Sequence, residues 1–475
     1  MGRVGGVLKR VLWLLVIVLV VGAAAGGALV AALTLRGFPT TAGTIAIQGL
    51  DKPVRITRDV NGIPSIEAET PHDLFLAQGY VHAQDRMWQM EVWRHISSGR
   101  LSELFGSSTL DQDRFIRTLG WHQAAERDLA AIAPDARAAL EAYSDGVNAW
   151  IDQHDGSLSL PFVVTGMRSG LGGLGGYPLE PWTPVDSLAW QKVQAWQLGG
   201  NFDTEVFRML ADRQLGSPAR TDELFPPYEA DMPVITPSDL KGSGGAGSTA
   251  AATPNGRLAD AADAQDAGDA AITTSDGAIG ADQASAWRDV VADGGRILQL
   301  AGLDAADGIA GDHQVGSNDF VVAPAKTATK TALLANDPHL GIGMPSVWYI
   351  NGLRCRVITK ACPYDLAGVS FPSLPGIVLG HNAAIAWGVT NVDPDVQDLF
   401  SIDPDPANKA NYLVAGKSVP FTVRHETIEV AGGDPVEMDV RTTRDGPILN
   451  DVDSRLDGAP LLALRWTATD GADHT

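Results

Sequence analysis

The apolar positions of this chain change their spacing four times. Val11 to Leu35 is an uninterrupted apolar run, long enough to cross a bilayer as a helix, which takes roughly 20 residues. Pro53 to Asp59 alternates as a strand does, and Asn61-Gly62 follows as a turn signal. From Asp73 to Leu104 the spacing becomes helical: Leu74, Ala77, Val81, Met87, Met90 and Trp93 recur near i+3 and i+4. Gly99 and Gly106 punctuate that stretch. Residues 120–155 and 184–215 also read as mainly helical. Residues 241–283 then lose almost all large apolar side chains to Gly, Ala, Ser, Thr and Asp. Such a stretch buries too little surface to offset its ordering entropy and reads as a linker. From Asp319 onward short apolar runs return, broken by Gly, Pro and Asn: Phe320–Val322, Ala332–Ala335, Ser346–Ile350 and Ile377–Leu379. These predict a sheet-rich region. No internal repeat is evident.

The pattern divides the chain into an apolar N-terminal segment (1–40), a mainly helical region (41–240), a low-complexity spacer (241–316) and a β-rich region (317–475). Arg3, Lys9 and Arg10 precede the apolar run, which predicts a cytoplasmic N-terminus and an exported remainder. The length favours an uncleaved membrane anchor. A cleaved signal peptide is the rival reading, because Gly22-Ala23-Ala24-Ala25-Gly26 offers small residues to a peptidase.

Charge narrows the partners. Asp and Glu number 57 against 35 Lys and Arg, a formal net charge of −22. That surface repels phosphates and speaks against nucleic acid. It suits an extracytoplasmic protein or one that binds cations through carboxylates, and its plainest use is solubility. Cys355 and Cys362 are the two cysteines. Export permits a disulfide stapling the hairpin tip between them, and two free thiols are the alternative. No Cys/His cluster has zinc-ligand spacing.

Gly316-Ser317-Asn318 is by itself a turn signal. Its position gives it interest, because it lies where the spacer ends and the first strand-like run begins. Cleavage before Ser317 would put a hydroxyl and a free α-amine on one residue. An α-amine has a reference pKa of about 7.7–8.0, so it serves as a general base near neutral pH without a His–Asp pair. No Gly-x-Ser-x-Gly occurs, so a nucleophile elbow is unsupported.

Four segments carry a family resemblance: Ala77-Gln78-Gly79-Tyr80-Val81-His82-Ala83-Gln84-Asp85-Arg86-Met87-Trp88-Gln89-Met90-Glu91; Ser98 to Gly106; Gly316-Ser317-Asn318 through Asn336-Asp337-Pro338-His339-Leu340-Gly341; and Gly380-His381-Asn382 with Ala386-Trp387-Gly388-Val389-Thr390 and Asp395 to Phe400. In this order, over most of residues 50–475, the chain resembles the penicillin acylases, which are N-terminal-nucleophile hydrolases and include cephalosporin and acyl-homoserine-lactone acylases. The resemblance implies an α+β fold, the four-layer αββα sandwich with a helical α-chain region around it. It implies a zymogen that cuts itself at Gly316–Ser317, loses the spacer and becomes an α/β heterodimer with Ser317 as nucleophile. The activity implied is hydrolysis of a linear amide on a small-molecule substrate: penicillin-like, acyl-homoserine-lactone-like or another acyl amide. Arylacetyl, fatty acyl and glutaryl-like groups are the candidate acyl parts.

Residue by residue, the resemblance gives His339 a place beside the nucleophile, orienting the serine or its amine; the bland alternative is a structural histidine in the turn after Pro338. It gives the backbone N–H groups of Asn391 and Val392 to the oxyanion hole, where fixed donors are worth a few kcal/mol. Glu205, Asp395 and Asp398, with the Gln397 carbonyl, match ligands of one structural Ca²⁺, and hard oxygen donors suit that ion. On spacing alone, Asp395 and Asp398 merely solvate a loop. The family's β-chain continues well beyond a position equivalent to Thr475, where it supplies a side-chain Asn donor to the oxyanion hole and an arginine. The expectation is therefore a fragment with half an oxyanion hole and impaired activity. Two other classes compete with the hydrolase: a non-catalytic, membrane-tethered binding protein that kept the fold, and an acidic calcium-binding surface protein in which Ser317 is only a turn residue.

Overall fold

The structure is a computed structural model and describes residues 2–35, 37–154, 158–169, 177–199, 201–225, 316–340, 343–392 and 394–470. Apart from Gly316, the expected spacer 241–316 lies outside the described residues. The apolar N-terminal run forms one helix, α1 (Gly2–Leu35). Within it Leu12–Ala32 is long and apolar enough to cross a membrane, a test that signal sequences also pass.

The hairpin of β1 (Arg55–Arg58) and β2 (Pro64–Ala68) turns where Asn61-Gly62 predicts it. Asp59 Oδ1 accepts from the Asn61 and Ile63 N–H groups at 2.8 and 2.9 Å, and Gly62 takes a left-handed φ of 81°. Helix α2 (Pro71–Ser98) follows. Thr70 caps it by accepting from the Asp73 N–H at 3.0 Å, and Pro71 needs no donor at the first helical position. The single helical stretch expected over 73–104 is two helices: Gly99 enters the left-handed region at φ 64° and ends α2, and α3 (Leu101–Phe105) starts afresh. The side chain of Asp113 receives the Leu101 and Ser102 N–H groups at 2.8 and 2.6 Å, satisfying donors that the first turn of α3 leaves unpaired.

Helices α4 (Leu110–Leu119), α5 (Trp121–Ala131), α6 (Pro134–His154), α7 (Leu160–Ser169), α8 (Pro184–Leu198), α9 (Phe202–Leu215) and α10 (Pro218–Asp222) complete the helical part. α2 is its axis. It crosses α6 at Gly79 and Gly146, where a Cβ would fall 2.0 Å from the Tyr143 carbonyl oxygen and 1.8 Å from that of Leu76; only glycine allows backbones this close. Further along α2, Trp93 stacks flat on Trp190 of α8 at 4.0 Å, and both are fully buried.

After residue 315 the chain is built of strands: β3 (Gly316–Val322), β4 (Leu333–His339), β5 (Tyr349–Cys355), β6 (Asp365–Ser370), β7 (Leu379–His381), β8 (Ala386–Trp387), β9 (Gln397–Ile402), β10 (Asn411–Val414), β11 (Lys417–Pro420), β12 (Thr422–Ile428), β13 (Val436–Thr443), β14 (Gly446–Pro447) and β15 (Leu461–Trp466). The largest sheet has the order β1-β2-β5-β6-β7-β8, with only β2 and β5 parallel. It draws strands from both sides of the undescribed segment, so the helical and β-rich regions share one sheet. α2 packs on it through Leu74, Phe75 and Val81 against Tyr349, Leu353 and Cys355. The run Ser346–Ile350 becomes a strand only from Tyr349, because the Ser346 carbonyl accepts from the side chains of Arg86 and Gln89 instead of a neighbouring strand. Cys355 and Cys362 are disulfide-bonded.

Candidate active site

Ser317 lies on β3, which pairs antiparallel with β4 as a separate two-stranded hairpin. Ser317 stands opposite Pro338, Asp319 opposite Asn336 and Val321 opposite Leu334. Directly opposed residues share a face, so Ser317 is on the face of Leu334, Asn336 and Pro338. Those three residues line a cavity of about 760 Å³. Its other walls include Trp348, Ile350, Val369, Leu379 and Trp387, with Asp85, Arg86 and His381 as charged or polar edges.

The polar groups at the edge are held by partners of their own. Asp85 receives both guanidinium nitrogens of Arg58, at 2.8 and 3.0 Å, and the hydroxyl of Tyr349. Arg86 donates to Gln89 Oε1 and the Ser346 carbonyl at 3.0 and 2.8 Å and lies over the Tyr349 ring. Beneath Tyr349 sits His82, fully buried, with Nδ1 2.8 Å from the Tyr143 hydroxyl and Nε2 3.1 Å from Ser370 Oγ. Burial lowers its pKa to about 3, assisted by the charge of Arg86, so the ring is neutral.

His339 lies opposite Gly316, across from the bond expected to break. Its Nδ1 is 2.8 Å from the Asp337 carbonyl. That acceptor fixes the proton on Nδ1 and leaves Nε2 as an acceptor, 3.4 Å from the Asn318 side-chain amide. By strand alternation His339 and Asn318 share the face opposite to Ser317. The ring is therefore adjacent to the strand of Ser317 without sharing that residue's face.

Asn391 and Val392 sit in the exposed segment that follows β8. Sequence reading passed over the residue that ties this segment to the hairpin. Asn336 donates through Nδ2 to the Val389 carbonyl at 2.9 Å and to the Asn318 carbonyl at 3.3 Å, and accepts the Val389 N–H at 3.3 Å. The available signal was an asparagine inside a strand, a place that residue seldom occupies without a bonding role. Gly388 makes the approach feasible: a Cβ there would lie 2.8 Å from Asn336 Cβ and 2.9 Å from Asp319 Oδ2.

The remaining residues gather elsewhere. Glu205 on α9, Asp395 just before β9 and Asp398 in β9 bring carboxylate oxygens within 4.8 Å of one another. Glu205 Oε2 accepts the Leu399 N–H at 2.7 Å. Burial raises the Glu205 pKa, the Leu399 hydrogen bond opposes this, and the Asp398 and Asp395 charges add to the rise. The Gln397 carbonyl reaches the same point, because Asn201 Nδ2 donates both to it at 2.8 Å and to Asp395 Oδ1 at 2.7 Å. α9 is thereby joined to β9.

The penicillin amidase family model matches residues 53–475. Among curated proteins, the chain is 33% identical over 414 residues to an acyl-homoserine lactone acylase, QuiP, of Pseudomonas aeruginosa, covering 87% of this chain and 42% of that protein. It is 31% identical over 436 residues to penicillin acylase 2 proenzyme of Pseudomonas sp. strain SE83, covering 91% and 48%. It is 30% identical over 412 residues to penicillin G acylase of Escherichia coli, covering 83% and 45%. The chain thus spans less than half the length of these relatives.

Proposed function

The chain belongs to the penicillin amidase family, and on that premise we propose that it is the nucleophile-bearing part of an amide hydrolase that frees Ser317 by cutting itself at Gly316–Ser317. The observation that supports this reading is the hairpin register, in which Ser317 shares a face with Leu334, Asn336 and Pro338, three residues that line the cavity. In the cut, Ser317 Oγ attacks the Gly316 carbonyl carbon, its proton passes to the departing nitrogen, and water hydrolyses the resulting ester. The products are a Gly316 carboxylate and a Ser317 α-amine. In turnover that amine, through a water, takes the hydroxyl proton as Oγ adds to the substrate carbonyl. The proton goes to the leaving amine, and water then releases the acid from the acyl-enzyme. His339, facing Gly316 across the hairpin, orients the new N-terminus. The Asn391 and Val392 N–H groups meet the developing oxyanion, and Asn336 sets their distance from Ser317. The apolar cavity walls take the acyl group, whether that of a penicillin, an acyl-homoserine lactone or another linear amide.

The full reading includes the four-layer αββα sandwich, an α/β pair after cleavage, and a body held outside the cytoplasm by α1. For a structural Ca²⁺ the donors fit: Glu205, Asp395, Asp398 and the Gln397 carbonyl are all hard oxygens from two elements. When bound, the ion would offset two of the three carboxylate charges and tie α9 to β9. The protein's residues do the chemistry elsewhere.

The test is the N-terminal sequence and intact mass of the protein purified from its host, together with hydrolysis of acyl amides. A fragment beginning at Ser317, lost in Ser317→Ala along with the hydrolysis, is the expected result. An uncut chain in a preparation that hydrolyses acyl amides would sink the proposal.

A further inference from the structure

Asn201 occupies the N-cap of α9, where an asparagine side chain ordinarily accepts an N–H of the first turn. Here it makes no such bond. Its Nδ2 instead points at three oxygens of the carboxylate cluster: Asp395 Oδ1 at 2.7 Å, the Gln397 carbonyl at 2.8 Å and Glu205 Oε1 at 3.2 Å. Two amide hydrogens cannot serve three acceptors well. Its Oδ1 is buried and has no partner among the described residues. A buried acceptor left without a partner is costly, and the helical backbone of Asn201 (φ −88°, ψ −3°) directs its side chain to the cluster and not to the first turn of α9.

We propose that Asn201 is both the stand-in for a cation and one of its ligands. Without an ion, the amide nitrogen fills the point where the oxygens converge and keeps the carboxylates from repelling one another. When a hard divalent cation enters, the carboxamide rotates about its terminal bond by about half a turn, a soft torsion for this side chain. Oδ1 then joins Asp395, Asp398, Glu205 and the Gln397 carbonyl around the ion, and Nδ2 turns into the place that Oδ1 held. The inference rests on the cation-site reading and adds a neutral ligand, contributed by the helix terminus, that also guards the site when empty.

The experiment is calorimetric titration of the EGTA-stripped full chain with CaCl₂, for the wild type, Asn201→Ala and Asn201→Asp, with melting curves in EGTA and in Ca²⁺. Asn201→Ala should bind Ca²⁺ about tenfold more weakly and Asn201→Asp more tightly, since ligand number and charge set calcium affinity. Asn201→Asp should melt below the wild type in EGTA, where a fourth carboxylate has replaced the amide. It should melt level with the wild type or above it in Ca²⁺. Equal or tighter binding by Asn201→Ala would overturn the ligand role while leaving the site intact. If Asn201→Ala does not fold, the Asn201→Asp melts decide: a deficit that persists in Ca²⁺ overturns the inference. A wild type that takes up no Ca²⁺ at millimolar concentration overturns the cation site itself, and this inference with it.

Discussion

Asn336 holds Val389 by both of its backbone groups, accepting the N–H at 3.3 Å and donating to the carbonyl at 2.9 Å. One side chain thereby does what a strand neighbour would do, at a place where the hairpin β3–β4 and the segment after β8 share no ladder. The same amide reaches the Asn318 carbonyl, one residue from Ser317. The spacing between Ser317 and the Asn391–Val392 segment therefore passes through this side chain.

Asn336→Ala should separate catalysis from stability. The lost bonds are solvent-accessible and worth roughly 1 kcal/mol each at most, so the melting temperature should fall little. A misplacement of about 1 Å between reacting groups costs on the order of 100-fold in rate. The expected outcome is a drop in kcat of about 10- to 100-fold on an acyl amide, with KM nearly unchanged. Unchanged kcat would show that the turn is positioned by other contacts.

Gly388→Ala tests the same approach from the other side. The added methyl would need space already held by Asn336 and Asp319, so the segment after β8 must move outward. Since overpacking typically costs about 1–3 kcal/mol, the variant should still fold and should lose activity as Asn336→Ala does. Combining the two should cost less than the sum of the single losses, because both break one contact. Additive losses in kcat would refute the shared contact.

What the sequence revealed and what it hid follow from the range of the interactions. The end of α2 was legible because its cause is local, Gly99 taking the left-handed conformation that stops the helix, while its start at Pro71, set by the Thr70 cap, lies two residues before the expected Asp73. Ser317 stood out in the sequence through a compositional break before it. The Asn336–Val389 tie spans 53 residues, and Asn201 meets Asp395 and Gln397 across almost 200. Neither leaves a periodic trace. The face on which His339 sits also required the register, since in a strand a one-residue step reverses the side.

His82 predicts acid sensitivity. Its folded pKa of about 3 lies below the ordinary histidine value of 6.5, so the folded state resists a proton that the unfolded chain accepts. The stability it supports is complete above about pH 6.5 and is lost progressively as pH falls toward 3, at roughly 1.4 kcal/mol per pH unit. Denaturant unfolding of wild type and His82→Gln at pH 7, 6 and 5 should show the wild type losing more stability on acidification. His82→Gln keeps a side chain able to meet Tyr143 and Ser370 but has nothing to titrate. Parallel pH profiles for the two would remove His82 from the account.

Val369 tests whether the cavity beside the hairpin receives the acyl group. It lies on β6 within the cavity wall, with Leu334, Ile350, Leu379 and the two tryptophans Trp348 and Trp387 completing the apolar surface. Val369→Phe would push a ring into that space, removing room for the distal end of a chain while leaving Ser317 and Asn336 untouched. Each methylene displaced from an apolar wall forfeits about 0.8 kcal/mol, a factor of about four in kcat/KM. A series of acyl p-nitroanilides from two to twelve carbons should therefore show a loss that steepens with chain length and leaves the shortest acyl groups almost unaffected. A uniform loss at every length would point to a general disturbance of the sheet and would argue that the acyl chain binds elsewhere.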